Sequence, residues 1–285
     1  MSKVAIVTDS TAYIPPEMMR GLPIYSVPLQ VIWEGKVYQD GIDITPAEFY
    51  ERLKKTTSMP TTSQPTPQLF TELYSKLLDE GYDILSIHIS AKLSGTLDSA
   101  IQARNALDKD RIVLFDSEFT TMAMGFQILT AARAAIEGAT LQECHQLAEE
   151  ARNRCGAIFV VDTLEFLHRG GRIGGAAALF GTAFNIKPIL EVRDGRVEPL
   201  ERVRTKRKAL LRLLDIATER ISKDRPVRIA SLVTDNPAEA QSLLDQLRSR
   251  FNVSDVSDAL CAPISPVLGT HTGPGTLGFA YLSGM

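Results

Sequence analysis

The chain has 285 residues, 44% of them hydrophobic and 23% charged, with a formal net charge of −3 at pH 7. That length allows two ordinary cores, no apolar run approaches the ~20 residues of a membrane span, and the small acidic balance supplies no basic field toward nucleic acid. Cys144, Cys155 and Cys261 are widely spaced, and His88, His145, His168 and His271 show no ligand spacing, which points to reduced thiols in a cytoplasmic protein and to no disulfide framework, metal or cofactor.

Val4 to Val7 reads as a buried strand entered directly from the N-terminus, without a signal-peptide pattern. It runs into the polar turn Thr8-Asp9-Ser10-Thr11, and Pro15-Pro16-Glu17 starts a short helix. Residues 24–32 and 36–39 read as a hairpin across Trp33-Glu34-Gly35. Thr45-Pro46-Ala47-Glu48 sets an N-cap, a first-turn proline and a capping glutamate for a helix ending near Lys55. The proline-punctuated 58–65 excludes helix and central strand. Thr66-Pro67 opens an amphipathic helix to Asp79.

The stretch 84–100 organises the chain. Ile84, Leu85, Ile87 and Ile89 suit a strand buried on both faces of a parallel sheet, and Leu97, Ala100, Ile101 and Ala103 follow at helical spacing. Between them Lys92-Leu93-Ser94-Gly95-Thr96 places hydroxyls and free N–H groups at a sheet's carboxyl end, where open α/β sheets bind ligands and helix starts favour anions. A further strand, 111–115, ends in Asp116-Ser117, and helices over 121–137 and 140–154 follow, the second with the capping box Thr140 to Glu143.

Alternation of strand and helix makes the first part, 1–156, a doubly wound, mainly parallel α/β domain. The second part, 157–275, mixes a strand at 157–161, a glycine-rich helical stretch at 163–184, a hairpin across Arg193-Asp194-Gly195, and alternating helices and strands to Cys261. It reads as a smaller α+β domain. The apolar tail 276–285 is expected to return as a strand that completes the first domain.

Four hydroxyl-rich clusters stand beside apolar strands: 8–11, 61–64, 94–96 and 116–117. Neutral donors can hold a carboxylate or phosphate without a full countercharge, although each cluster alone is also ordinary turn and cap chemistry. Ser94 lacks the first glycine of a G-x-S-x-G elbow, and His271 with Asp9 or Asp116 could complete a triad only if the fold assembles them. Gly170-Gly171-Arg172-Ile173-Gly174-Gly175 has no Walker lysine, so close packing competes with a ligand loop. Thr205 reads as an N-cap that puts Lys206, Arg207 and Lys208 in a first helical turn, against the helix dipole. His271, between Gly269 and Gly273, sits on what reads as a permissive loop.

Taken together, Thr8-Asp9-Ser10-Thr11, 60–65, Leu93-Ser94-Gly95-Thr96, Gly170-Gly171-Arg172-Ile173, 185–190, Val203-Arg204-Thr205 and His271-Thr272-Gly273-Pro274-Gly275 resemble the DegV family of bacterial fatty-acid-binding proteins, in the family's order and over nearly the whole chain. His168-Arg169, where lysines are usual, and Thr272 depart from the pattern.

The resemblance implies two domains with a long-chain fatty acid between them and its carboxylate on Thr62 and Ser94, with Gly95 and Thr96 adjoining. It also implies a separate ATP-dependent fatty acid kinase as partner, with the chain carrying the acyl phosphate for phospholipid synthesis and lacking activity alone. Arg172, Arg204 and His271 match positions near the head group or the docking surface. The glycine- and alanine-rich stretch 174–184, with Leu179, Phe180 and Phe184, reads either as the tunnel wall or as plain core packing, and lipid exchange implies passing contact with a membrane surface. The competing expectations are a phosphate-handling α/β enzyme using the hydroxyl clusters and Arg172, and a nucleic-acid module on Lys206 to Lys208. The second is disfavoured by the net charge and by the lack of aromatics in that run.

Overall fold

The computed structural model describes residues 3–181, 186–221 and 225–285. In chain order its strands are β1 (Lys3–Asp9), β2 (Ile24–Val27), β3 (Gln30–Trp33), β4 (Lys36–Gln39), β5 (Thr61–Ser63), β6 (Tyr82–His88), β7 (Ile112–Asp116), β8 (Cys155–Val160), β9 (Lys187–Arg193), β10 (Arg196–Val203), β11 (Val227–Val233), β12 (Val256–Pro263) and β13 (Leu277–Ser283). Its helices are α1 (Pro16–Met19), α2 (Pro46–Leu53), α3 (Pro67–Asp79), α4 (Thr96–Asn105), α5 (Thr121–Ile136), α6 (Leu141–Arg154), α7 (Glu165–Arg169), α8 (Lys206–Arg220), α9 (Pro237–Arg248) and α10 (Pro266–Thr272).

The first sheet has the order β2-β1-β6-β7 with every pair parallel. Val4 and Ile6 of β1 face a core shared with α5, whereas Ala5 and Val7 face a second core with Phe70, Tyr74 and Leu77 of α3. Both faces are covered, which is why the strand is apolar at successive positions instead of alternating. The second sheet has the order β10-β9-β8-β13-β11-β12. It too is buried on both sides: Ala157 and Phe159 of β8 join the α5 core, and Ile158 and Val160 join a core with α8 and α9. Helices α5 and α6 touch both sheets, so the molecule is layered as α3/α4, first sheet, α5/α6, second sheet, α8/α9. The fold is thus two-domain α/β, as the sequence implied.

Three local expectations change. The tail strand does not complete the first domain: β13 pairs antiparallel with β8 and β11 at the centre of the second sheet. Its unbroken apolar run fits either sheet, and only pairing decides between them. A boundary at 156/157 would also cut β8. The expected strand 24–32 is two strands, because Pro28, with no N–H to donate, separates β2 in the first sheet from β3 in a small sheet of order β4-β3-β5. The turn between β3 and β4 places Glu34 and Gly35 at positive φ, as a tight hairpin requires. The helical expectation over 163–184 reduces to α7 and a 3₁₀ segment, Gly174–Leu179. Here Gly174 has φ +53° and a Cβ would meet Val197 O at 2.2 Å, so these glycines serve close packing on β10.

Candidate functional site

A cavity enclosing about 890 Å³ of empty space, its open mouth included, lies between the sheets. That is within the usual size of a small-molecule site. It sits past the carboxyl ends of the first sheet: Leu29 follows β2, Ile89 and Leu93 follow β6, and Thr120 and Thr121 follow β7. The opposing wall comes from the inner face of the second sheet, through Ala157, Phe159, Val192, Val197 and Leu232, with Val267 and Leu268 of α10. Twelve of its 22 lining residues are aliphatic or aromatic, so most of the wall offers no hydrogen bond.

The polar residues of the lining form a cluster. Thr62 is placed by the β3–β5 pairing, opposite Val31. Its Oγ1 lies 2.9 Å from His271 Nε2. His271 is in the last turn of α10 rather than in a loop, a helix whose N-cap Ser265 accepts from Leu268 N. The ring packs on Gly170, where a Cβ would approach Nδ1 to 2.1 Å. Nδ1 is buried without a hydrogen-bond partner. Burial, with the nearby positive charge of Arg172, pushes the imidazole down to about 4, so it is neutral at pH 7.

Ser94 sits in the turn between β6 and α4, where its amide bonds to Ser90 O at 3.1 Å. Its Oγ is 2.9 Å from Thr96 Oγ1 and accepts from Thr96 N at 3.3 Å. Gly95 is the α4 N-cap, and a Cβ there would lie 2.9 Å from Gln64 Nε2. That close approach draws the 62–64 segment against Ser94. Arg172 donates to Leu93 O at 3.0 Å and Gly170 O at 2.7 Å, tying the glycine turn to the first domain. No carboxylate pairs with it among the described residues.

The structure therefore brings Thr62, Ser94, Arg172 and His271 to one cavity. It does not bring Arg204, Leu179 or Phe180 there. Arg204 is exposed and borders a separate groove with Leu179 and Phe180. Leu179 is buried, and Phe180, 40% exposed, stacks on His168. Phe184 and Asn185 lie outside the described residues. The apolar walls were missed because they come from five or more elements separated in the sequence. A signal was present at Leu29, Ile89 and Thr120, each just past a strand of the parallel sheet.

Among the described residues no triad forms around Ser94. Asp9 bonds instead to His88 Nδ1 at 3.1 Å, in a buried chain through Ser86 to Tyr74, and Asp116 accepts from Ala91 N and Glu118 N. Of the cations starting α8, Lys206 pairs with Glu239 at 2.8 Å. Arg204, Arg207 and Lys208 have no ion pair among the described residues. Among these residues no helix is long and apolar enough to cross a membrane, and no His, Cys, Asp and Glu cluster could hold a metal.

A family model described as an uncharacterised protein of the DegV family matches residues 3–284. A DegV domain-containing protein of Streptomyces coelicolor is 44% identical over 282 residues, 98% of each chain, and Protein DegV of Bacillus subtilis is 36% identical over 280 residues, again 98% of each. Two solved structures are similar throughout. One concerns fatty acid binding of a DegV family protein from Thermus thermophilus (35% identity, TM-score 0.90, 99% of each chain). The other is DegV, a fatty acid binding protein from Bacillus subtilis (36%, TM-score 0.89, 99% of this chain and 100% of that one). From matches over its whole length, in sequence and in structure, this chain belongs to the DegV family.

Proposed function

We propose that this protein binds one long-chain fatty acid, with the acyl chain in the cavity between the sheets and the carboxylate at the Thr62 and Ser94 hydroxyls. The observation that carries the reading is a mainly apolar cavity with a cluster of neutral donors among its lining. Similar proteins described as binding fatty acids support it. Burying a dozen methylenes contributes roughly 10 kcal/mol at ~0.8 each, before ordering costs. Each hydroxyl bond to a carboxylate adds about 1.5–3 kcal/mol. The tail then sets affinity and the head group sets orientation.

The hydroxyls have backing partners suited to this task. We assign the His271 proton to Nε2, donating to Thr62 Oγ1, which frees the Thr62 O–H for the ligand. Thr96, at 2.9 Å, can donate to Ser94 in the same way. Gly95 N–H adjoins them. Such a carboxylate stays accessible to a separate fatty acid kinase, which would transfer phosphate from ATP to it. The chain would then carry the acyl phosphate toward phospholipid synthesis, exchanging lipid at a membrane surface and catalysing nothing alone. Arg172 would steady the head group, and Arg204, Arg207 and Lys208, without ion pairs among the described residues, would meet an acidic partner. A phosphate-handling enzyme gains no support, since the cavity wall is mainly apolar and Arg172 is engaged by carbonyls.

Denaturing mass spectrometry of lipid extracted from purified protein tests the reading. About one equivalent of fatty acid is expected; preparations that are lipid-free and refuse added fatty acid would remove it.

A further inference from the structure

Asp40, just past β4, is 2% exposed. No cation pairs with it among the described residues. Its Oδ2 accepts from Ser10 Oγ at 2.7 Å and its Oδ1 from Val267 N at 3.2 Å. Its own N–H donates to Leu29 O at 2.9 Å, and Leu29 N donates to Ser10 Oγ at 3.1 Å. The Asp40 side chain thus joins the turn after β1 to the start of α10, and its backbone N–H adds the link between β2 and β3.

The Ser265 hydroxyl also hydrogen-bonds it, but the titratable groups around it, the Asp9 carboxylate and the Tyr13 and Tyr50 phenols, supply no positive charge. A buried carboxylate without a cation is costly, and burial pushes this one up to about 6 despite its hydrogen bonds. An apolar residue or an amide would fold at lower cost. What its side-chain oxygens secure is position. Leu29, Val267 and Leu268 line the cavity, and His271 lies four residues beyond Val267, on the same face of α10.

We propose that Asp40 is a positioning residue of the head-group site, fixing α10, and with it His271 and one cavity wall, to the first domain. It acts through Val267 and Ser10 without touching the ligand. Its effect on lipid rests on the fatty-acid reading above; its effect on His271 does not.

Two readouts separate these. One is the NMR signal of the His271 ring nitrogens, identified by its loss in His271→Gln. The other is the rate at which loaded oleate transfers to albumin. Asp40→Ala, with far-UV circular dichroism and melting showing a folded protein, is expected to shift or split the His271 signal and speed transfer about tenfold. Asp40→Asn keeps an acceptor for Val267 N–H and is expected to return both readouts toward wild type. Should Asp40→Ala not fold, Ser10→Ala removes one of its hydrogen bonds and is expected to act in the same direction, about threefold. An unmoved His271 signal with unchanged transfer in the folded variant overturns the proposal. A wild type that takes up no oleate overturns the fatty-acid reading instead, and the His271 signal alone then decides the role of Asp40.

Discussion

Thr62 and Ser94 each offer one hydroxyl to the cavity, backed by His271 and Thr96. Removing either hydroxyl should cost at most ~3 kcal/mol of binding, and less if water replaces it. The acyl chain is untouched, so Thr62→Ala and Ser94→Ala should retain lipid. Phosphorylation demands near-attack placement of the carboxylate, where small displacements cost far more than in binding. Each variant should therefore lose kinase-dependent acyl-phosphate formation more than lipid occupancy, and the double variant more again. Measured on one preparation of each, occupancy that collapses in step with turnover would show that the head group dominates affinity.

Two buried residues give opposing pH dependences. Asp40 is raised from 3.8 to about 6, so the folded protein keeps a proton there that the unfolded chain has lost. Its contribution falls as pH rises from about 4 to about 6, by about 3 kcal/mol at most. His271 is lowered from 6.5 to about 4, so the unfolded chain takes the proton first, and stability falls as pH drops through that window. Melting curves of Asp40→Asn should show a gain over wild type at pH 8 that vanishes near pH 4. A constant offset across that range would mean the carboxylate titrates normally.

At the level of elements, much of the chain was legible because local rules agreed with the fold. The capping boxes at Thr45 and Thr140 start α2 and α6 where expected, and Asp194-Gly195 turns β9 into β10. What was not legible depended on distant partners. The three-residue β5 exists because β3 offers it an edge, and α10 is short, with Gly269 packed against Tyr50 and its C-cap Gly273 against Phe166. Residue types at the proposed head-group site were readable, since hydroxyls beside strand ends are local. The cavity wall was not, because Phe159, Val192 and Leu232 meet only through pairing in the second sheet.

The start of α8 carries its own prediction. Arg204, Arg207 and Lys208 lack ion pairs among the described residues and stand away from the cavity. Arg204→Ala should slow acyl phosphorylation by a kinase partner, most at low salt, while lipid occupancy stays near normal. Equal rates for wild type and variant at low and moderate salt would remove the docking role.

On the scale of the molecule, two sheets share one helical layer, and Thr120 and Thr121, where that layer begins, line the cavity. Placing β13 inside the second sheet leaves the domains joined by packing and by bridges such as Ser90 Oγ to Gly195 O at 2.8 Å and Tyr50 OH to Ile264 O at 3.0 Å. A ligand held across that junction meets both domains at once. The central claim is that a fatty acid lies there with its carboxylate on neutral hydroxyls. Protein stripped of lipid and reloaded with fatty acid carrying ¹³C at the carboxyl carbon tests it by NMR. One bound carboxyl signal is predicted, distinct from free fatty acid and displaced again in Thr62→Ala and in Ser94→Ala. Absence of a bound signal, or a bound signal indifferent to both substitutions, would contradict the account.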